Sequence, residues 1–280
     1  MDRMGLPARV TFDATGDART GNKLIQYLAC KIICHVFGHT YTGLVEEVED
    51  TIVIDDENFA TILAEKPYYL RYTNIRLKGY FQKSSLLVPY RKELLAIMYD
   101  PTNYDFWIPK NKDILYVRSL IKDVATVPID PTDLCMSLRL DDFMHNPWYP
   151  KSDVPYPSYY TDILKRLEGT FDKLYIICDT VRHEWEWEYI RNFMPWNPIL
   201  LQESFAHDCC LLRTAPRLIH SNSSLCWIMS FLAGGAKERY IPNTRFYDAQ
   251  TLEKIEESDE VFYPATMEHA ELDPFSVAVE

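Results

Sequence analysis

The chain lacks the features that tie a protein to nucleic acid or to a membrane. No run of five basic residues occurs, and 29 Lys and Arg stand against 41 Asp and Glu, which gives a formal net charge of −12. This balance disfavours nucleic acid as a partner. The longest apolar run, LIQYLACKIICHVFG, is too short to span a bilayer and contains Lys31. The first ten residues also lack the apolar core of a signal peptide, so we expect a soluble, cytoplasmic protein without a membrane span.

The cysteines and histidines lack the spacing of disulfide frameworks and metal sites. The seven cysteines are an odd number without a C-x-x-C pair, and most lie in apolar contexts, where a free thiol behaves as a small apolar group. This usage indicates a reducing compartment. His183 and Glu184 begin an H-E-x-x-H pattern, but Trp187 stands where the second histidine belongs. We therefore expect no metal site built on histidine.

Three common catalytic and nucleotide-binding signatures are also missing. The sequence has no G-x-x-x-x-G-K-[ST] phosphate loop, no G-x-G-x-x-G turn and no G-x-S-x-G nucleophile elbow. Nine glycines and 17 prolines in 280 residues fit neither a fibrous nor a disordered chain. With 47% hydrophobic residues, the chain has enough apolar material for one large domain or two smaller ones.

The second half of the chain alternates between strand-like and helix-like stretches. The predicted strands are DLCMSLRL, KLYIICD, PILLQES, RLIHS and KERYIPN, and the predicted helices are YYTDILKRLEGTF, HEWEWEYIRNFM, HDCCLLRTA, SLCWIMSFLAGG and AQTLEKIEES. Short strands that alternate with helices of about ten residues indicate βαβ units and a parallel sheet. In such sheets, ligands bind beyond the carboxyl ends of the strands, where helices begin.

The first half is less regular. RTGNKLIQYLACKIICHVFG predicts a loop that leads into a long apolar helix, and strands and helices follow in EEVEDTIVIDDENFATILAE and NIRLKGYFQKSSLLVPYRKELLAIM. Prolines and aromatic residues become frequent between Pro101 and Pro131, which indicates a domain boundary. We therefore predict two α/β domains, residues 1–125 and residues 126–280. A further stretch rich in proline and aromatic residues, 145–160, predicts a surface excursion within the second domain.

A run of small polar residues precedes the apolar helix SLCWIMSFLAGG, and it consists of Ser221, Asn222, Ser223 and Ser224. The first turn of a helix offers N–H groups and the positive end of the dipole, and Ser and Asn add donors without bulk. Such a run is typical of a plain helix cap, and it also suits a phosphate cradle. Arg139, which ends an apolar strand, either forms a salt bridge with Asp142 or faces a ligand phosphate.

Two acid pairs are candidates for binding a divalent cation together with substrate phosphates. Asp55 and Asp56 are more typical of solvated acids at a turn. For Asp141 and Asp142, the cation and the turn remain equally open from the residues alone.

Four stretches resemble, in order, the motifs of the α-1,2-fucosyltransferase family. TGNKLIQYLA resembles its Gly-Asn-Gln-x-x-Gln-Tyr entry, LKGYFQKSSLL its Gly-Tyr-(Trp/Phe)-Gln segment, SLRLDDF its His-x-Arg-Arg-Gly-Asp-Tyr motif and IHSNSSLCWIMSFLAG its Ile-Ser-Asn-Ser-Ser-Phe-Ser-Trp-Trp stretch. The resemblance covers residues 20–235. It implies an α/β fold of the GT-B type, with two Rossmann-like domains that face each other across a cleft, an acceptor-side domain first and a nucleotide-sugar-binding domain second.

The resemblance also implies roles for single residues. Arg139 matches an arginine that contacts the donor phosphate, and the run 221–224 matches the helix start beside the diphosphate. Asp179 falls near a residue at the base and ribose of the donor, and Gly21 and Asn22 match a loop that approaches the sugar. The implied partners are a nucleotide sugar and a glycan acceptor. No metal or other cofactor is implied, because arginine and helix N-termini neutralise the leaving diphosphate.

The chain departs from the family motif at three positions, where Ser137, Leu140 and Asp141 replace His, Arg and Gly. Two of these changes remove donors or charge that help recognise a GDP-linked donor. The chain is also similar to divergent, soluble glycosyltransferases of large algal viruses, some of which use UDP-xylose. The resemblance therefore implies an inverting transferase with a UDP-sugar as donor, and GDP-fucose is the alternative.

The reaction expected from the resemblance is attack of an acceptor hydroxyl on the anomeric carbon while the nucleoside diphosphate leaves. A carboxylate would take the proton, and Asp142, Asp13 and Asp17 are the candidates. Two other classes of protein fit the residues: a non-catalytic carbohydrate-binding protein on the same fold, and a metal-dependent transferase that uses Asp141 and Asp142. The sequence contains no indication of the acceptor, the linkage or the oligomeric state.

Overall fold

The computed structural model describes side chains and backbone for most of the chain. The described residues are 8–12, 20–43, 51–100, 102–103, 121, 126–140, 157–232 and 238–242, together with the backbone alone of 261–265, and for Ser84 the backbone only. The chain divides into two compact units, Met1–Asp123 and Val124–Glu280. The predicted helix 249–258 and the predicted helix end at Gly234 and Gly235 lie outside the described residues.

The first unit is built from short parallel strands and one long helix. Its elements are β1 (Arg9–Phe12), α1 (Thr20–Phe37), β2 (Thr40–Tyr41), β3 (Thr51–Asp55), α2 (Phe59–Glu65), a 3₁₀ turn (Tyr68–Tyr72), β4 (Asn74–Lys78), α3 (Ser84–Leu87), a second 3₁₀ turn (Val88–Tyr90) and α4 (Arg91–Tyr99). The four strands pair in the order β2-β1-β4-β3, all parallel. β1 and β4 lie side by side in the middle, with Val10 opposite Ile75 and Phe12 opposite Leu77.

The core of the first unit lies between α1 and the sheet. Apolar side chains on α1 are buried along most of its length, including Leu24, Leu28 and Ile32. Tyr27 on this helix packs edge-on against Tyr41, with ring centroids 5.1 Å apart. Because α1 is covered almost all round, it reads in the sequence as a continuous apolar run and not as an amphipathic stripe.

The described part of the second unit alternates between strands and helices up to its last two strands. Its elements are β5 (Leu134–Ser137), α5 (Pro157–Arg166), β6 (Leu174–Ile177), α6 (Glu184–Arg191), a 3₁₀ turn (Met194–Trp196), β7 (Ile199–Leu201), α7 (Phe205–Thr214), β8 (Arg217–Ile219), α8 (Ser224–Phe231), β9 (Glu238–Pro242) and β10 (Val261–Ala265). The sheet order is β7-β6-β5-β8-β9-β10 with all pairs parallel. Counted from β5, this is the Rossmann order 3-2-1-4-5-6.

The fold class predicted from the sequence, α/β with Rossmann-like parallel sheets, is confirmed. The strands and helices predicted for residues 133–242 are present, and most are shorter than predicted: the strand placed at 133–140 ends at Ser137, and the helix placed at 183–194 ends at Arg191. The surface excursion predicted for residues 145–160 was wrong at its end, because residues 157–160 begin α5. Tyr159 and Tyr160 are buried there.

The central strands of the second sheet are buried on both faces, which explains their sequence pattern. All four residues of β5 and of β6 are buried, as are those of β8. Parallel strands covered by helices read as unbroken apolar runs and not as alternating ones. All seven cysteines are free thiols and are buried. Within the described part of the chain, no helix has the length and apolar character needed to cross a membrane.

Candidate functional site

In the second unit, the strand order reverses between β5 and β8, which leaves a crevice at their carboxyl ends. From β5 the chain runs through α5, β6, α6 and β7 to one edge of the sheet and then crosses to β8 on the other side of β5. The connections that follow β5 and β8 therefore diverge at their carboxyl ends, which is where open parallel sheets bind their ligands. Residues 137–140 follow β5 at this point, and residues 220–223 follow β8.

The side chains at these two strand ends are bonded to each other. The Ser137 and Ser221 hydroxyl oxygens lie 3.1 Å apart, and the Arg139 Nη1 donates to the Ser223 Oγ over 3.1 Å. Ser137, Ser221 and Ser223 are buried, whereas Arg139 is partly exposed. Two sequence motifs that are 84 residues apart thus meet in one polar group.

The polar run 221–224 leads into α8, whose N-cap residue does not cap the helix with its side chain. Ser223 is the N-cap residue in extended conformation, and its side chain makes no capping hydrogen bond. Its hydroxyl instead accepts a hydrogen bond from Arg139. The first turn of α8 contains no acidic residue, so the positive end of the helix dipole is not offset locally. Such a helix start, beside a guanidinium and several hydroxyls, is suited to an anion.

Two tyrosines from α5 fix the strand ends beneath this group. The Tyr159 hydroxyl lies within hydrogen-bond distance of the backbone oxygens of His220 (3.1 Å) and Tyr240 (3.0 Å), and the Tyr160 hydroxyl donates to the oxygen of Ser137 over 3.2 Å. Burial raises the pKa of Tyr160 well above its ordinary value. The hydroxyl therefore remains a donor at all ordinary pH values, and the backbone around the site has defined positions.

The remaining titratable groups next to the site are held neutral. Burial is the first cause that lowers the pKa of His220, far below its ordinary value, with the Arg239 charge as a second cause. Burial likewise raises the pKa of Cys226 to about 11, although hydrogen bonds from Ser137 and Ser221 oppose the shift. At neutral pH, His220 therefore carries no charge and Cys226 is not a thiolate nucleophile.

Asp179 lies at the neighbouring strand end, after β6, and is exposed. It belongs to a group of acids with Glu203 and Asp208, which follow β7. Burial, the Asp179 charge and the Glu203 charge together raise the pKa of Asp208 to about 7. The sequence pattern did not indicate Asp208, because a single acid in the first turn of a helix is typical of dipole stabilisation.

The first unit brings its two motif segments together in the same way. The chain leaves β1 through α1 to β2, crosses to β3 at the far edge and returns to β4, so the carboxyl ends of β1 and β4 are neighbours. The Gln82 Nε2 donates to the Asn22 Oδ1 over 2.5 Å, and the Gln26 Nε2 donates to the Gly79 oxygen over 2.6 Å. Gly21, beside Asn22, is buried.

The predicted site residues fall into two classes. Arg139, Ser221, Asn222 and Ser223 gather at the β5–β8 crevice with Ser224 at the start of α8, Asp179 lies at the next strand end, and Gly21 and Asn22 lie in the first unit. The three candidate bases, Asp142, Asp13 and Asp17, lie outside the described residues, as does Asp141. Among the residues that the structure describes, no group of three His, Cys, Asp or Glu side chains has the arrangement of a metal site.

The fold and this site define a Rossmann-type α/β unit with a guanidinium, several hydroxyls and a helix N-terminus at its switch point. No protein-family model matches the chain, and no curated protein matches it in sequence. Among solved structures, the chain is similar to a point mutant of FUT1 from Arabidopsis thaliana in complex with GDP. The two share 9% sequence identity at a TM-score of 0.47, over 86% of this chain and 71% of the other.

Proposed function

We propose that this protein is a glycosyltransferase that moves one sugar from a nucleotide-sugar donor to a hydroxyl of a glycan acceptor. The observation that carries the proposal is the bond between Arg139 and Ser223 at the N-terminus of α8, in the switch-point crevice of a Rossmann-ordered sheet. This arrangement provides one delocalised cation, several hydroxyl donors and a helix dipole at one point. A leaving nucleoside diphosphate needs this kind of stabilisation.

The reaction that fits these groups is a direct displacement with inversion at the anomeric carbon. The bond from the anomeric carbon to the diphosphate oxygen breaks while the bond to the acceptor oxygen forms. The diphosphate leaves with the electron pair, and a carboxylate takes the proton of the acceptor. Asp142, Asp13 and Asp17 remain the candidates for that carboxylate. The variant of the true base, with Asn in place of Asp, is expected to bind donor normally and to lose turnover.

For the donor we propose a UDP-sugar, with UDP-xylose first and GDP-fucose as the alternative. Two of the motif departures support a base other than guanine. Ser137 is buried against Ser221, and Leu140 is buried in the apolar core, so neither offers the donors of the His and Arg that the fucosyltransferase motif has there. GT-B architecture and independence of metal ions are part of the same proposal.

The test is thermal-shift and calorimetric titration of the purified chain with UDP, GDP, UDP-xylose and GDP-fucose. Arg139→Ala is expected to weaken nucleotide binding about 10- to 100-fold, since a hydrogen bond to a charged group contributes about 1.5–3 kcal/mol. Arg166→Ala, an exposed arginine in the last turn of α5, is the matched control. Binding of neither nucleotide, or equal binding by Arg139→Ala and the wild type, would refute the proposal.

Detection of transfer or of donor hydrolysis separates an enzyme from a binding protein on the same fold. Turnover that persists in EDTA supports the metal-independent mechanism, and loss of turnover that Mn²⁺ or Mg²⁺ restores would instead favour a metal-dependent use of Asp141 and Asp142.

A further inference from the structure

The loop after β4 is a second built feature at a strand end, separate from the diphosphate site of the second unit. It consists of residues 79–82 and is called the 79–82 loop below. It lies at the carboxyl end of β4, beside the carboxyl end of β1. Parallel α/β sheets bind their ligands outside the carboxyl ends of the strands.

The carboxylate of Asp56 fixes the backbone of the 79–82 loop. One of its oxygens accepts from the Tyr80 N–H over 3.0 Å, and the other accepts from the Phe81 N–H over 2.6 Å. Two residues of the loop have positive φ angles, Gly79 at 146° and Phe81 at 52°. A side chain on Gly79 would collide with the Asp56 carboxylate. The close approach of Gly79 to Asp56 and the two charge-assisted hydrogen bonds of its carboxylate therefore maintain the conformation of the loop.

This conformation presents an aromatic ring and an amide to solvent. The Tyr80 side chain is 40% exposed, whereas Phe81 is fully buried and packs against Phe59 with ring centroids 5.0 Å apart. Gln82 is partly exposed, and its amide is oriented by the bond to Asn22. A primary amide has two N–H donors and a carbonyl acceptor, so this bond leaves capacity for further partners.

A third amide lies directly behind the loop. Gln26 is fully buried on α1, and its Nε2 donates to the Gly79 oxygen over 2.6 Å. Within the described part of the chain, its Oε1 is buried and has no hydrogen-bond partner. A buried acceptor of this kind costs free energy unless a donor reaches it.

These side chains are uncharged, which distinguishes them from the phosphate-binding group around Arg139. An exposed ring on the same short loop as a partly exposed amide suits a sugar ring, since the C–H face of the sugar packs on the aromatic face and amides bond its hydroxyls. We propose that the 79–82 loop is a binding site for a neutral sugar residue of the acceptor, with Tyr80 as the stacking surface and Gln82 as the hydroxyl ligand. The role as acceptor site rests on the proposed function, whereas sugar binding at the loop does not.

The experiment is saturation-transfer NMR on the full chain, with methyl glycosides of xylose, galactose, glucose, mannose and rhamnose as probes and UDP and GDP as separate probes. At least one glycoside is expected to bind. Tyr80→Ala and Gln82→Ala are each expected to weaken that binding about tenfold, as loss of one aromatic or polar contact implies. Tyr80→Trp is expected to retain it. Tyr69→Ala, an exposed tyrosine at the amino end of β4, is the matched control.

The outcomes separate this proposal from the proposed function. Glycoside binding that is equal in the wild type, Tyr80→Ala and Gln82→Ala overturns the proposal, as does the absence of binding by every glycoside. Loss of glycoside binding in Tyr80→Ala or Gln82→Ala, with UDP or GDP binding that equals that of the wild type, supports both proposals. Tyr80-dependent glycoside binding in a protein that binds neither nucleotide supports the sugar site and refutes the transferase. Near-ultraviolet circular dichroism shows whether each variant is folded.

Discussion

Neighbouring acids in this protein hold backbone turns. Asp55 Oδ1 accepts from the N–H groups of Glu57 and Asn58, which closes the turn before α2. Asp56 reaches across to the loop after β4 and accepts from Tyr80 and Phe81. From the sequence alone this pair was typical of solvated acids at a turn, and both acids are partly exposed and lie at a turn. The sequence did not indicate that the Asp56 carboxylate also accepts from backbone amides 24 and 25 residues away, because a local pattern does not reveal such bonds.

Asp208 differs from these acids because its environment favours the neutral form. Its pKa is raised to about 7, from an ordinary value of 3.8, by burial, by Asp179 and by Glu203. Between these two pH values the folded chain holds a proton that the unfolded chain has lost. Stability therefore falls as the pH rises from about 4 to about 7, and it stays level above pH 7.

The expected result is that Asp208→Asn stabilises the protein at neutral pH. The gain in unfolding free energy over the wild type is expected to grow between pH 4 and pH 7, to about 1–2 kcal/mol after allowance for partial exposure. Urea unfolding at pH 4.5, 6 and 8 measures it. Asp162→Asn, an exposed acid on α5, is the control. A gain that is the same at all three pH values would contradict the assigned charge effect.

At the scale of elements, the proposed function gives the start of α8 two roles, because it begins a helix and is expected to bind the diphosphate. Ser223 is its N-cap, but the side chain serves Arg139 and makes no capping bond. A serine that caps contributes about 0.5–2 kcal/mol to stability, and this contribution is not expected here. Removal of the hydroxyl is instead expected to change the position of the Arg139 side chain.

Ser223→Ala is therefore expected to change the melting temperature little while weakening UDP or GDP binding about 5- to 10-fold, the equivalent of one neutral hydrogen bond. Ser223→Asp is expected to weaken it further, because the added carboxylate pairs with Arg139 and repels the diphosphate. Isothermal titration calorimetry and thermal unfolding measure both effects. A large loss of stability with unchanged nucleotide affinity in Ser223→Ala would show that the serine is a cap and nothing else.

Most elements of the second unit were predictable because each is an uninterrupted run of strand-like or helix-like residues. Buried strands such as LYII are bounded by polar residues, and the helices between them have near-average length. The strands β1, β2 and β10 were not predicted. β1 and β2 contain four and two residues, too few for any periodicity. β10 contains Pro264, which argues against a strand in sequence but is tolerated at a sheet edge, where β10 lies.

At the scale of the whole molecule, the two groups of candidate site residues lie at the carboxyl ends of neighbouring strands, one group in each sheet. From residue type alone, the run 221–224 was more typical of a plain helix cap, and Arg139 was equally compatible with a salt bridge to Asp142. The family resemblance was what favoured a diphosphate site. Gln82 and Asp56 were not recognised as site residues. Their importance depends on bonds to Asn22 and to the 79–82 loop, which link segments that are 60 and 24–25 residues apart, and no local pattern records such bonds.

Because the proposed diphosphate site and the 79–82 loop lie in different units, we expect their ligands to protect different segments of the chain from exchange. A saturating nucleoside diphosphate, at about 100 times its dissociation constant, stabilises the folded state by about 2.7 kcal/mol. Hydrogen–deuterium exchange in UDP or GDP is expected to slow at residues 137–140 and 221–228 and to stay unchanged in β3 and α2. A bound methyl glycoside is expected to slow exchange at residues 79–82 and at the start of α1. Nucleotide protection confined to the first unit would contradict the assignment of the diphosphate to Arg139 and α8, because amides that contact the ligand exchange only when it leaves.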